Sequence, residues 1–123
     1  MIKSVKKGGY VGYGNSYCAE EDIKIAIFPV GYADGYNRSL SNRGMIRLGS
    51  EYCPLVGRVS MDEITVRIDH VKETVTLDTI FDVITADLDP MTSLTGLAKM
   101  TGTINYEVAT SLALRLPRIY IAK

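Results

Sequence analysis

Tyrosine is the residue of this chain that is most unusual in number and placement. The sequence holds eight tyrosines against two phenylalanines and no tryptophan. Tyrosine is favoured over phenylalanine where the ring is buried and the hydroxyl meets a polar partner. Several tyrosines stand beside glycines, in GGYVGYGNSY (8–17) and VGYADGY (30–36), and glycine lets the backbone come close to a ligand. The pattern indicates either hydroxyl groups presented at a site or tyrosines at a barrel rim or interface.

Other polar residues cluster where predicted elements begin or end. The loop GYADGYNRSLSNRG (31–44) carries two tyrosines, two arginines and Asp34 after the apolar run IKIAIFPV. It is at best a weak phosphate-loop candidate, because no GxGxxG or P-loop pattern follows the strand. Met61 and Asp62 follow GRVS, and Tyr106 and Glu107 stand in TINYEV. A carboxylate after a strand is commonly part of a turn, and Glu107 suits the first turn of a helix. These residues alone do not identify a reaction.

The elements that would position these residues are mostly strands. In DIKIAIFPV (22–30) and EITVRID (63–69), apolar and polar residues alternate with the period of a strand that has one buried face. Shorter strands are predicted at MIRL, CPLVGRV, ETVTL and FDVIT, and a last one at RIYIA (118–122). Many short strands at this spacing favour a barrel or a sandwich.

Two short helices are predicted near the C-terminus. The first begins after a cap at Thr92 or Ser93, runs through Met100 and ends before Gly102, where left-handed backbone costs little. The second runs from about Asn105 to Leu114 and is closed off by Pro117.

Composition and charge exclude several classes of function. Fourteen basic residues balance fourteen acidic ones, so no overall field attracts nucleic acid or an anionic membrane surface. No apolar run is long enough for a transmembrane helix or a secretory signal, and we expect a cytoplasmic protein. Cys18 and Cys53 lack CxxC spacing, which predicts inert, partly buried thiols and no metal site. His70, in DHVKE, is expected in a solvated turn without a chemical role.

Five segments, taken in order, resemble the C-terminal domain of alanine racemase. They are VGYGNSY (11–17), FPVGYADGYNRSLSNRG (28–44), PLVGRVSMDEITVRID (54–69), INYEV (104–108) and LRLPRIY (114–120). The likeness runs from about residue 2 to 121 and is weakest over 69–92. It implies a mainly β domain over residues 1–123, with a closed, Greek-key-like six-stranded barrel and two or three short helices near the C-terminus.

The resemblance also implies roles for individual residues. In the family, the matching residues belong to the site of a pyridoxal-phosphate racemase. Tyr13 matches the catalytic tyrosine, and Tyr32 matches a tyrosine at the inner entrance of the site. Met61 and Asp62 match a pair of family residues at the substrate carboxylate and the gate of the site. The methionine of that pair acts through its backbone. Arg38 and Arg58 match arginines of the substrate corridor. Tyr106 matches a tyrosine that hydrogen-bonds the cofactor phosphate, in the family in the site of its own subunit.

These residue types suit racemisation of L- and D-alanine, which the family carries out to supply D-alanine for peptidoglycan. The α proton must leave from one face of the carbon and return to the other, so two acid/base groups on opposite faces are needed. By resemblance Tyr13 serves one face and the cofactor lysine serves the other, while the cofactor ring is the electron sink. A free tyrosine has a pKa of about 10, so a catalytic base of this type needs a lowered pKa.

The family's cofactor-binding TIM barrel, which carries the essential lysine, has no counterpart in these 123 residues. In the family, the site lies between the barrel of one subunit and the β domain of the other in a homodimer. We therefore expect a fragment that is inactive alone and exposes its tyrosine-rich edge. The alternatives are a domain of a serine or broad-specificity racemase of the same fold, and a non-catalytic dimerisation module.

Overall fold

The computed structural model describes residues 1–122, which form seven short strands followed by two helices. The strands are β1 (Ile2–Val5), β2 (Tyr10–Val11), β3 (Tyr17–Cys18), β4 (Ile23–Phe28), β5 (Met45–Leu48), β6 (Glu51–Pro54) and β7 (Ile64–Arg67). The helices are α1 (Leu94–Thr101) and α2 (Asn105–Ser111), and single 3₁₀ turns lie at Tyr13–Asn15, Tyr32–Asp34 and Arg38–Leu40. The prediction of a mainly β domain with two C-terminal helices is confirmed.

The central sheet is built on β4, the middle strand of the antiparallel order β1-β4-β7. Alternation in β7 matches the prediction, since Ile64 and Val66 are buried. In β4 burial extends to both faces: Ile25 packs in a small cluster with Val11, whereas the adjacent Ala26 packs in the main core. A middle strand covered on both sides loses strict alternation of burial.

The expected closed six-stranded barrel is wrong for residues 1–122. The strands form one three-stranded sheet and two separate hairpins, β2-β3 and β5-β6. The β5-β6 hairpin reaches the central sheet through the single Leu55–Val66 bridge and reaches the segment after β7 through the single Arg47–Asp82 bridge. One bridge does not make a continuous ladder, so the sheet does not close.

Three predicted strands are also wrong. Residues 73–77 and 118–122 contain no strand, and residues 81–85 contribute only isolated bridges. Side chains hold the segment after residue 80, because Arg47 pairs with Asp87 at 2.8 Å and the Tyr52 hydroxyl donates to Asp89. Among the described residues, 118–122 have no neighbouring strand to pair with, and Ile119 to Ile121 are almost fully exposed.

Helix α1 follows its predicted capping signals, whereas α2 ends earlier than predicted. The Ser93 side chain accepts a hydrogen bond from Gly96 N at 3.0 Å at the start of α1, and Gly102 ends it in the left-handed region. α2 ends three residues before the predicted Leu114. Beyond it, Ala113 N donates to Asp34 O at 3.0 Å, which takes the backbone away from the helical path. Neither helix is long and apolar enough to span a membrane, judged on residues 1–122.

The two cysteines have different environments. Cys53 is fully buried in the main core, whereas Cys18 is exposed on β3. The prediction of partial burial for both thiols is therefore wrong for Cys18, because β3 belongs to a two-stranded hairpin at the edge of the fold. Burial raises the pKa of the Cys53 thiol to about 11, and only the thiolate is nucleophilic.

This difference predicts two rates of thiol modification. At neutral pH, a disulfide reagent such as DTNB is expected to modify one thiol quickly in the native chain and the second only after unfolding in urea. Cys18→Ser should remove the fast phase, and Cys53→Ala should leave it unchanged. Two equal fast phases in the native chain would contradict the burial of Cys53.

Candidate functional site

Five of the seven residues predicted for a site line one cleft. The cleft has a volume of about 270 Å³ and opens to the surface. Its walls are formed by two tyrosines, two arginines and the segment that precedes β7: Tyr13, Tyr32, Arg38, Arg58, Val59, Ser60 and Met61. These residues come from three separate loops, β2–β3, β4–β5 and β6–β7, so the fold brings together what the sequence spreads over 49 positions.

Tyr13 is placed by a turn between two glycines. Gly14 has φ +63, a conformation that favours glycine, and a Cβ there would lie 2.9 Å from the Arg58 guanidinium. The turn and the arginine are therefore in direct contact. The Tyr13 side chain is 70% exposed and forms one wall of the cleft.

Tyr32 and Met61 are joined through the backbone. Tyr32 N donates to Ser60 O at 3.0 Å, and Ala33 N donates to Met61 O at 3.0 Å. Gly31 makes this approach possible, because a Cβ there would lie 2.5 Å from Met61 O and still closer to Ser60 O. The glycine before Tyr32 is therefore a steric requirement of the cleft.

Most polar residues of the loop 37–44 stabilise the loop itself. Asn42 Oδ1 accepts from Gly57 N at 2.6 Å, and Ser41 Oγ accepts from Val59 N at 2.9 Å. Arg43 donates to Met100 O at 3.0 Å, at the end of α1. These bonds fix the loop beside Arg58 and the end of α1.

Several polar groups that line the cleft have no partner among the described residues. Within residues 1–122, neither the Tyr13 nor the Tyr32 hydroxyl has a hydrogen-bond partner, and the Met61 N–H meets no acceptor. The guanidinium groups of Arg38 and Arg58 form no ion pair with any described residue. Two arginines without counterions attract an anion. The planar guanidinium group of an arginine can donate two parallel hydrogen bonds to a carboxylate.

Asp62 lies beside the cleft and is held by an arginine. Arg115 Nη2 donates to Asp62 Oδ1 at 2.8 Å, and Arg115 Nε donates to Asp34 Oδ1 at 2.6 Å. Asp34 is only 4% exposed and also accepts from Gly31 N at 2.9 Å. The Arg115 guanidinium, and then the Gly31 N–H, hold the pKa of the Asp34 carboxyl below its usual range.

The lowered pKa of Asp34 predicts a pH-dependent contribution to stability. A carboxylate whose pKa is lower in the folded chain stabilises fully above its unfolded pKa of about 3.9, and this contribution is lost as pH falls through the folded value. Asp34→Asn should lower the free energy of unfolding by about 1 to 3 kcal/mol at pH 6. Urea unfolding at pH 6, 4 and 3 should show the gap to the unsubstituted chain shrinking below pH 4. A gap that stays constant would contradict this role of Asp34.

Tyr106 is separate from the cleft. It lies in the first turn of α2, is 74% exposed and does not line the cleft. The Tyr106 side chain is accessible at the surface. No group of residues in 1–122 forms a metal site.

Reasoning from the sequence missed three residues that organise the site. Asp34 was visible as a polar residue of the loop but had no assigned role, and Arg115 appeared only within LRLPRIY. Their separation of 81 positions leaves no local signal for the ion pair. Asn42 was missed in the same way, although its φ of 57 marks an Asn in a tight turn.

Comparison with known proteins gives one consistent family. The family model described as "Alanine racemase, C-terminal domain" matches residues 1–120. The chain is 39% identical to an alanine racemase of Clostridium tetani and 42% identical to one of Dinoroseobacter shibae, covering 98% of this chain in both cases. It covers 31% and 32% of those proteins, so the chain spans about a third of their length.

Solved structures agree with these matches. The alanine racemase of Bartonella henselae, solved with covalently bound pyridoxal phosphate, aligns with a TM-score of 0.88 at 32% identity, covering 98% of this chain and 32% of that one. The Bacillus anthracis enzyme, solved with bound L-Ala-P, aligns with a TM-score of 0.87 at 35% identity, covering 99% and 31%. The chain belongs to the family of alanine racemase C-terminal domains.

Proposed function

We propose that this chain is the C-terminal domain of a pyridoxal-phosphate-dependent racemase that interconverts L- and D-alanine. In this proposal, the cleft faces the cofactor-binding barrel domain of a partner subunit in a homodimer. One observation carries it: Tyr13, Tyr32, Arg38, Arg58 and Met61 line one open cleft, and their polar groups have no partner within residues 1–122. All five residues are exposed, so their polar groups are accessible to a ligand.

Each group of the cleft has a task that suits a small amino acid. When bound, pyridoxal phosphate supplies the electron sink that makes removal of the α proton possible. The Tyr13 hydroxyl transfers a proton at one face of the α carbon. Arg38 and Arg58 attract the substrate carboxylate on its way in, and the Met61 N–H donates a hydrogen bond to it.

Asp62 and Tyr32 act at the entrance, and Tyr106 acts elsewhere. Arg115 fixes the position of the Asp62 carboxylate, and the negative charge of this carboxylate can repel a second carboxylate at the gate. Tyr32 narrows the opening beside Met61. The Tyr106 hydroxyl would donate to the cofactor phosphate in its own subunit. In this proposal the whole protein is cytoplasmic.

Exposed apolar side chains support contact with another domain. Leu114, Ile119, Tyr120 and Ile121 are each at least 86% exposed, and they lie in one stretch near the end of the chain. Tyr13 and Met61 add apolar surface at the cleft. Contiguous exposed apolar surface of this kind commonly marks an interface.

The proposal is tested by joining this chain to a cofactor-binding domain. The joined protein is the Clostridium tetani relative with its own C-terminal domain replaced by residues 1–123. Formation of D-alanine from L-alanine should be enzymatic in the joined protein and absent from the isolated chain supplied with pyridoxal phosphate. Free pyridoxal phosphate alone is the control for nonenzymatic racemisation.

The outcomes separate the candidate functions. Turnover of serine that exceeds turnover of alanine would favour a racemase of other specificity. A joined protein that dimerises and binds the cofactor but does not racemise would favour a dimerisation module. Enzyme-level turnover by the isolated chain would contradict the requirement for a second domain.

A further inference from the structure

Arg115 connects the two segments that form the entrance of the cleft. Its Nε donates to Asp34 in the turn that carries Tyr32, and its Nη2 donates to Asp62, the neighbour of Met61. We propose that Arg115 is a positioning residue, which holds Tyr32 and Met61 at the spacing that the substrate needs. The functional part of this inference rests on the proposed racemase activity.

The two segments are already in contact on one side. Tyr32 N and Ala33 N donate to the carbonyls of Ser60 and Met61, at 3.0 Å each. These two bonds align the backbones of the two segments on one side. The Arg115 side chain closes the other side, because it binds the last residue of the turn and the residue after Met61.

Asp34 anchors Arg115 to the interior. Its carboxylate is buried, accepts from Gly31 N at 2.9 Å, and its backbone carbonyl accepts from Ala113 N at 3.0 Å. The Asp62 side chain is 60% exposed, so its ion pair alone would add little stability. Because Arg115 is also bound to the buried Asp34 carboxylate, the Arg115–Asp62 pair fixes the orientation of the exposed Asp62 carboxylate.

The geometry requires an arginine. One side-chain fork donates from Nε to one carboxylate and from Nη2 to another. A lysine presents a single ammonium group on a flexible stem and does not reproduce two donors in a fixed plane. Arg115→Lys therefore keeps the charge and tests the geometry, whereas Arg115→Gln removes both.

Kinetics of the joined protein test the functional part. Arg115→Gln should raise the KM for alanine roughly tenfold with a smaller loss in kcat, because misplaced entrance groups affect binding first. Arg115→Lys should recover only part of this loss. In a Tyr32→Ala background, Arg115→Gln should add less than it does alone, since the residue that it positions is missing.

Arg67 provides a matched control. It also bridges two carboxylates, Asp69 at 2.7 Å and Glu21 at 2.6 Å, but it does not line the cleft. Arg67→Gln should leave the KM of the joined protein within about twofold of the unsubstituted value. An unchanged KM in Arg115→Gln, in a joined protein that is active, would overturn the proposal.

Spectra of the 123-residue chain test the placement without any activity. With ¹³C-labelled methionine methyl groups and tyrosine rings, Arg115→Gln should shift the Met61 and Tyr32 signals, and Arg67→Gln should leave both in place. Unmoved Met61 and Tyr32 signals would overturn the positioning role. If the joined protein does not racemise at all, the proposed function fails, and these spectra still decide whether Arg115 places Tyr32 and Met61.

Discussion

Tyr13→Phe in the joined protein should reduce kcat for racemisation by roughly a hundredfold or more, the usual contribution of a positioned acid/base group. The substitution removes one hydroxyl and leaves the ring. Tyr13 is 70% exposed and packs little, so the free energy of unfolding should not change measurably. The loss would therefore report chemistry and not folding.

The two enantiomers of alanine should respond differently in a solvent-exchange assay. In D₂O, the enantiomer whose α hydrogen faces Tyr13 should lose exchange. The other enantiomer should still exchange its α hydrogen without inverting, because the opposite face is served by a group of the barrel domain. Deuterium incorporation by NMR and enantiomer ratio by chiral chromatography separate the two processes.

Tyr10→Phe is the matched control for this prediction. Tyr10 is also exposed and stands three positions earlier, but it does not line the cleft. Its substitution should leave kcat within about twofold, as expected for an exposed side chain away from the reacting groups. Equal losses in Tyr10→Phe and Tyr13→Phe would assign the effect to the hairpin as a whole.

Gly31→Ala should be the most destabilising single-methyl change at the site. A Cβ at Gly31 would press on the carbonyl oxygens of Ser60 and Met61, which accept the Tyr32 and Ala33 hydrogen bonds. The Gly31 backbone is extended, with φ −152, so the collision and not backbone strain sets the cost. Overpacking plus two weakened hydrogen bonds should cost about 3 kcal/mol or more.

Gly102→Ala is the control for the cost of replacing a glycine where the added Cβ causes no steric collision. Gly102 has φ +75, but a Cβ there meets nothing within 4 Å. It should cost only about 1 kcal/mol, the penalty of a left-handed conformation. Urea unfolding of the 123-residue chain gives both values. A Gly31→Ala loss no larger than that of Gly102→Ala would contradict the close approach of Gly31 to Ser60 and Met61.

The sequence predicts this fold well where its signals are local. Period-2 alternation marks β7 because the buried side chains Ile64 and Val66 alternate with half-buried ones. The Ser93 cap and the Gly102 stop mark α1 because capping depends on a few neighbouring residues. Such signals do not depend on what lies elsewhere in the chain.

Prediction fails where distant side chains decide the structure. The segment after β7 follows Arg47 and Tyr52, which bind Asp87 and Asp89 about 40 positions away. RIYIA has the composition of a strand, but in residues 1–122 it pairs with no strand and its apolar side chains are exposed. In both places a local pattern of strand-forming residues predicts an element that long-range contacts do not complete.

The functional site shows the same difference between local signals and long-range contacts. Residue types alone indicated a tyrosine-rich edge and left its role open, while the resemblance to a family named the residues that line the cleft. Neither approach assigned Arg115, because an ion pair with Asp34 across 81 positions leaves no pattern in the chain. The structure supplies this contact directly.

Subunit mixing tests most directly the central claim that Tyr13 completes the site of a partner subunit. Two inactive forms of the joined protein are prepared, one with Tyr13→Phe and one with the cofactor-attaching lysine of the barrel domain replaced by alanine. After mixing and reassembly, each mixed dimer contains one site with both the lysine and Tyr13. The account predicts recovery of about a quarter of the unsubstituted activity, because about half of the dimers are mixed and each has one working site. Mixed dimers without activity would contradict it, since Tyr13 would then serve its own subunit or have no part in the reaction.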